Sequence, residues 1–380
     1  MNKATKLIVT VLLLAAFGGA AYFSVFQTGR LEGGPDGLAG RLTGAVQTQE
    51  LEGLISLDVE PYFNDPRVQK ALADNGFKLK VVRIGSRDMA DRVVPGQTPD
   101  FFFPSGVVAA NQIADAARKA NVASGMYSPF YSPMVIASWA PIARVLAANG
   151  MAKEVQPKVW SVDTVQLTRL MLDNKRWRDL KGAEAYNVSK SVLVSTTDLR
   201  KSNSAAMYLA LTSYALNGGD IVTDRATAEK MARGVAGLFK RQGYQENYVN
   251  GNFDDYVSIG IGKTPMAFIY EYQIMTHALA QKGIGADMVL MYPAPTLFNK
   301  EVFVSTSERA RKLGDLLSTN ATLQRLAVAH GFRIADTGHF VQTANAAGLA
   351  VEERITEVID PPSFELMGSM IDVVSREMSQ

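Results

Sequence analysis

The sequence predicts an α/β protein of two lobes behind an amino-terminal membrane-spanning helix. Three observations carry that prediction. At 380 residues the chain exceeds what one hydrophobic core normally organises. Short apolar runs alternate with stretches of helical periodicity, the order expected of strands joined by right-handed crossover helices in a parallel sheet. Residues 7–26 hold 20 positions without a charge, which at roughly 1.5 Å per residue reach about 30 Å, the thickness of a bilayer's hydrocarbon.

The elements follow in order. Lys3 and Lys6 precede the uncharged run and put the amino end in the cytoplasm. A cleaved signal peptide is the rival reading, because Gly19-Ala20-Ala21 suits processing. The run continues through Tyr22, Phe23, Val25 and Phe26, longer than a usual signal-peptide core, which favours an uncleaved anchor over residues 1–27. On either reading the body is exported, so a bacterial inner-membrane protein facing the periplasm or exterior is expected. Residues 28–50, rich in Gly and carrying Pro35, read as a linker.

In the body, residues 54–57 form a short apolar run, and 65–75 carry Val68, Ala71 and Leu72 at helical spacing before Gly76. Strands are expected at 77–84 and 100–103, and a helix at 107–120. A strand at 134–138 and helices at 141–149 and 162–173 come next. Residues 192–194 read as a strand, 227–242 as an amphipathic helix, 265–270 as a strand and 273–281 as a helix. Strands at 288–292 and 302–304 and helices at 307–318 and 321–330 complete the body. In the tail, 351–380, Pro361-Pro362 precedes a helix whose Met367, Ile371, Val374 and Met378 share one face that docks on the body.

Composition excludes several classes. The net charge is +2, with acids and bases interspersed and no block of like charge, which argues against nucleic acid as partner. Cysteine is absent, which removes disulfides, thiolate metal sites, a cysteine nucleophile and a lipidated cysteine. His277, His330 and His339 are scattered without ligand spacing, so no metal and no cofactor are expected. Gly260-Ile261-Gly262-Lys263-Thr264 resembles a phosphate loop, but Val257 stands where the motif needs glycine and Pro265 follows where it needs a helix. No Gly-x-Ser-x-Gly elbow occurs, and no nucleophile, base and orienter can be assembled, so an enzyme is not expected.

The segment 192–211 is the most informative. A β-branched run ends in Ser195, Thr196, Thr197, Asp198, Ser202, Asn203 and Ser204, and an Ala/Leu/Met/Tyr helix follows. Hydroxyls at a strand-to-helix turn, beside amides lacking intrahelical partners, can hold a polar or anionic ligand. A single turn of this kind serves equally as an N-cap. Function rests on several converging. Asp58-Val59-Glu60, Ser86-Arg87, Pro104-Ser105-Gly106, Tyr270-Glu271-Tyr272 and Tyr292-Pro293 follow other strands. In a parallel sheet such ends share one edge and line one crevice.

At this point the chain resembles the type 2 periplasmic, or extracellular, solute-binding proteins. The likeness is to the branch that includes oxyanion binders and domains found with von Willebrand factor A modules. The matching stretches are 61–75 (PYFNDPRVQKALADN), 132–137 (SPMVIA), 177–180 (WRDL), 196–205 (TTDLRKSNSA), 265–271 (PMAFIYE), 292–296 (YPAPT) and 331–333 (GFR), in family order. The resemblance implies two α/β lobes joined by two crossing strands, with ligand between them. Lobe one would be 51–137 with 300–350, lobe two 138–299, and the crossings would lie near Ser138 and Phe298. Ligand-facing positions implied are Glu60, Ser86, Arg87 and Ser105 from lobe one. Lobe two would supply Thr196, Thr197, Asp198, Ser202, Asn203, Ser204, Tyr270 and Glu271. The chain departs from the family where many relatives carry Gly-Ser-Glu and this one has Asp58-Val59-Glu60, losing a hydroxyl and gaining a carboxylate.

The expectation is a membrane-anchored protein that captures a small polar solute, such as an oxyanion, by hinge closure for transport or sensing. A second expectation, motivated by Met367, Met370 and Met378 of the tail helix and by the anchor, is an interaction module with an envelope protein as partner. A hydrolase would need a base near Ser86 or Ser202, for instance His277.

Overall fold

The computed structural model describes residues 48–243 and 251–379. The expected anchor and most of the expected linker lie outside them. Among the described residues no helix is long and apolar enough to cross a membrane.

The chain opens with β1 (Gln49–Ile55), α1 (Glu60–Asn64), α2 (Pro66–Asp74), β2 (Phe77–Arg83), β3 (Phe101–Phe103) and α3 (Val107–Lys119). A long β4 (Gly125–Trp139) leads to α4 (Ala140–Ala148), the hairpin β5 (Ala152–Gln156) and β6 (Val159–Asp163), and α5 (Thr164–Leu172). Then come α6 (Asn203–Leu216), α7 (Arg225–Lys240), α8 (Gly251–Ser258), β7 (Met266–Tyr270), α9 (Glu271–Leu279), β8 (Met288–Ala294) and β9 (Thr296–Ser305). The chain ends with α10 (Glu308–Thr319), α11 (Ala321–Ala329), α12 (Thr337–Ala346), β10 (Val358–Ile359) and α13 (Phe364–Ser379). Local chemistry explains many of the boundaries. Asp65, Asp163, Asp224, Ser307 and Asn320 each accept a first-turn backbone N–H of the helix they precede. Gly76 stands just beyond α2 with φ of 81°, the left-handed conformation that ends helices.

Strand order is β2-β1-β3-β9-β4-β8-β6-β5, with β7 also on β4 and β10 on β9. Here the structure corrects the expectation of a parallel sheet. The pairs β1–β2, β1–β3 and β6–β8 are parallel, whereas β9 runs antiparallel to β3 and β4, and β4 runs antiparallel to β7 and β8. The cause is that β4 and β9 carry the chain between the two halves in opposite directions. Along β4, Gly125–Pro133 pairs with β9 and Met134–Ser138 with β7. The partner exchange therefore falls at Pro133/Met134, and the return passage begins at Pro295, between β8 and β9. β4 starts well before the expected residue 134. Pro129 sits in a register shift between Tyr127 and Phe130, the place where a sheet tolerates proline.

Two further expectations change. Residues 192–194 form no ladder; they are extended, and Ser195 alone bridges to Ala267 of β7. Val192 and Val194 are nevertheless fully buried, so the apolar run reports burial and not pairing. The sequence reading also passed over the β5–β6 hairpin, which is mostly polar on β5, and α8 and α12.

β3 shows how the core is built. Phe101, Phe102 and Phe103 are all fully buried. Period-two alternation sends Phe101 and Phe103 into the main core and Phe102 into a smaller one with Ile113, Val302 and Val304. Phe101 stacks on Phe303 at 4.9 Å between ring centroids. That ring lies where a Cβ on Gly53 would stand, 2.1 Å from its nearest atom. We expect Gly53→Ala to cost about 1–3 kcal/mol by overpacking, read as a lowered denaturation midpoint at unchanged m-value.

The tail helix α13 docks as expected. Met367, Met370, Val373 and Val374 are buried, with Ile371 and Met378 partly so, and the main partner is α7. The methionine face is therefore core within this chain, which removes one of the two observations behind the interaction-module reading; the other, the anchor, lies outside the described residues.

Candidate ligand-binding cleft

The carboxyl ends of β1, β2 and β3 face the start of α6 and the end of β7 across a cleft of about 820 Å³. From the first half come Ser56 and Asp58 after β1, Ser86 and Arg87 after β2, and Ser105 after β3. From the second come Arg200, Ser202 and Asn203 before α6, and Tyr270 at the end of β7. Phe364, Met367, Gly368, Ile371 and Asp372 of α13 form a third side.

Hydrogen bonds join these groups. The Ser105 N–H donates to Ser86 Oγ at 3.0 Å. Asn203 Nδ2 donates to Tyr270 Oη at 3.0 Å and to Asn299 Oδ1 at 3.1 Å, while Asn299 Nδ2 donates to Ser105 Oγ and to Glu301 Oε1. Two more bonds cross the gap. Arg87 Nη1 donates to the Arg200 carbonyl at 3.1 Å, and Tyr272 Oη donates to Asp58 Oδ1 at 2.8 Å. The stacked rings of Tyr270 and Tyr272, with centroids 5.5 Å apart, back the second wall.

Electrostatics follow from enclosure. Burial pushes the Asp58 carboxyl above its ordinary value, and hydrogen bonds from Ser105 and Tyr272 oppose the shift. Glu301, fully buried on β9, is pushed well up by burial and further by the Asp58 charge. Among the described residues its Oε2 has no hydrogen-bond partner. Around the mouth, Arg83 is paired with Glu60 at 2.9 Å and Arg200 with Asp198 at 2.6 Å.

The expected site residues thus divide. Ser86, Arg87, Ser105, Ser202, Asn203 and Tyr270 share the cleft. Glu60 does not line it; as the first residue of α1 it pairs with Arg83. Thr197 and Ser204 lie behind the wall, in a buried triangle of hydroxyls with Ser202 whose members are 2.6–2.8 Å apart. Thr196 is buried with its Oγ1 unpartnered, while its N–H donates to Gln242. Asp198 is turned onto Arg200, whose side chain and N–H both donate to it, so its charge is spent inside the turn. Glu271 is fully buried, where Arg333 and Tyr292 occupy its oxygens. The hydroxyl-rich turn therefore exposes only its last residues to the cleft, because the earlier ones satisfy one another. His277 is not among the lining residues; it contacts Phe253 and the Gly283 carbonyl.

Sequence reasoning passed over Asp58 as a contact, Asn299, Glu301 and the α13 wall. Asn299 and Glu301 gave no signal: they stand in the polar run Asn299-Lys300-Glu301, of which only Lys300 is exposed.

The fold is shared with known structures. The chain is similar to an ABC transporter from Clostridium perfringens (13% identity, TM-score 0.53, covering 86% of this chain and 99% of that one). It is also similar to iron-bound HitA from Pseudomonas aeruginosa (13%, 0.52, 87% and 99%). A third likeness is to the periplasmic binding protein AfuA from Actinobacillus pleuropneumoniae, solved with fructose-6-phosphate (12%, 0.51, 87% and 98%). The fold is that of the two-lobed periplasmic binding proteins. At these identities the likeness is one of fold. No protein-family model matches the chain, and no curated protein matches it.

Proposed function

We propose that the protein captures a small polar solute between its two lobes, outside the cytoplasmic membrane, for transport or sensing. One observation carries the reading. Ser86 and Ser105 from one half and Ser202, Asn203 and Tyr270 from the other open onto a single cleft at the carboxyl ends of parallel strands, where open α/β sheets bind their ligands. The AfuA structure, with fructose-6-phosphate bound to a protein of this fold, supports capture of a small solute. The uncharged run at 7–26 supports attachment to the cytoplasmic membrane by an anchor.

Capture requires that ligand contacts differ between lobe arrangements, because a solute shifts the equilibrium only by its differential affinity. Asn203 is placed to take part in such a difference: its amide reaches Tyr270 in its own half and Asn299 across the cleft. Native mass spectrometry of the full-length chain from cells is expected to show a small molecule bound one to one. Ser105→Ala combined with Asn203→Ala is expected to lose it while the chain keeps its circular dichroism. A chain that carries nothing, or a double variant that retains the molecule, contradicts the proposal.

A further inference from the structure

The charge pairing and the apolar third wall of the cleft narrow the class of solute. Of the cations that line it, Arg83 and Arg200 are already matched by Glu60 and Asp198, Arg87 donates to a carbonyl, and Lys201 is exposed to solvent at the rim. The enclosed acids have no such match. Asp58 receives only the neutral donors Tyr272 and Ser105, Glu301 receives only Asn299, and among the described residues neither forms an ion pair. Among the described residues Glu301 Oε2 is left buried and without a partner, behind Ser105 and Asn299. Burial without a countercharge favours the neutral acids, and a cation bound at Asp58 would hold its carboxylate ionised, whereas an anion gains no partner there.

Size and polarity give the rest. A volume of about 820 Å³ is in the range of drug-sized ligands, roughly 300–1,000 Å³. A five-atom oxyanion would leave most of it to water. Further closure does not shrink it easily, because Asn203–Asn299, Arg87–Arg200 and Tyr272–Asp58 already join the sides. Val108 and Met207 supply one apolar flank, and Met367 and Ile371 of α13 supply the facing one.

We infer that the solute is an amphiphilic amine, its ammonium group at Asp58 with Glu301 behind it and its hydrocarbon against Met207, Met367 and Ile371. The inference rests on the capture reading above and adds α13 to the binding site. A cationic head supplies the missing countercharge, and burying its hydrocarbon on α13 makes the tail helix part of the specificity.

The test is isothermal titration of the full-length chain in nanodiscs, with empty nanodiscs as blank, against n-hexylamine, ethylamine, hexanoate and sodium sulfate. n-Hexylamine is expected to bind saturably, ethylamine about tenfold more weakly or worse, and hexanoate and sulfate not at all. Asp58→Asn is expected to weaken n-hexylamine about tenfold or more. Ile371→Ser weakens n-hexylamine and leaves ethylamine unchanged, and Glu60→Gln, outside the cleft, changes neither. Binding of sulfate or hexanoate in place of the amine, or n-hexylamine binding indifferent to both Asp58→Asn and Ile371→Ser, overturns the inference. So does silence toward all four probes. The capture reading is judged separately, by the molecule the chain carries from cells.

Discussion

Glu271→Gln is expected to lower the unfolding free energy by about 3–5 kcal/mol, the cost of leaving one member of a buried ion pair without its partner. Arg333 is fully buried and donates to both Glu271 oxygens, at 2.5 and 2.9 Å. It also donates to the Glu352 carbonyl and lies 4.6 Å above the Phe340 ring. Burial works against its charge, and the Glu271 carboxylate more than offsets that, so its pKa stands above the ordinary arginine value. The pair thus ties α9 to the segment after α11 and to the chain entering the tail, beside the place where β4 changes partners. Replacing both members, Glu271→Gln with Arg333→Met, is expected to recover part of the loss, because no lone charge remains buried. Chemical denaturation of the two singles and the double reads the result. A Glu271→Gln cost below about 1 kcal/mol would mean that Arg333 finds water or another anion, contrary to the packing described.

Removing α13, residues 364–380, is the second large effect. Met367, Met370, Val373 and Val374 leave water on docking, each contributing roughly 1.5–3 kcal/mol. Even discounted for residual burial in the unfolded chain, the sum approaches the entire stability of an ordinary domain, about 5–15 kcal/mol. The truncated chain is expected to lose a cooperative melt by circular dichroism. The single variant Met370→Ala, at a fully buried position, is expected to cost about 2–5 kcal/mol and leave a folded protein. A truncated chain that melts within a few degrees of the full one would show that the helix is an appendage, and its place in the cleft would then carry little.

Much of this architecture was legible from residue patterns. β2, β3, α3, α6 and α13 fall where apolar spacing and turn residues put them, because each has one strong period and a clear boundary. The antiparallel partners of β4 were not legible, since strand direction depends on which half of the molecule the chain is leaving. The long first half of β4 was hidden by Pro129 and Pro133. At the cleft, Ser86, Ser105, Ser202 and Asn203 were readable as strand-end hydroxyls and amides. Thr196, Thr197, Asp198, Ser204 and Glu271 carry the same chemistry but turn inward. Whether a polar side chain faces a ligand or a neighbour is decided by partners distant in sequence, such as Arg333 for Glu271, 62 positions away. Asn299 and Glu301 are the converse case, buried polar residues whose use appears only when β3 and β9 are seen side by side.

The most direct measurement is a crystal structure of the protein with the molecule it carries from cells. The account predicts ordered density between Ser105 and Asn203, touching Asp58 and reaching toward Ile371. Density for that molecule anywhere else, with only water between those residues, would contradict it.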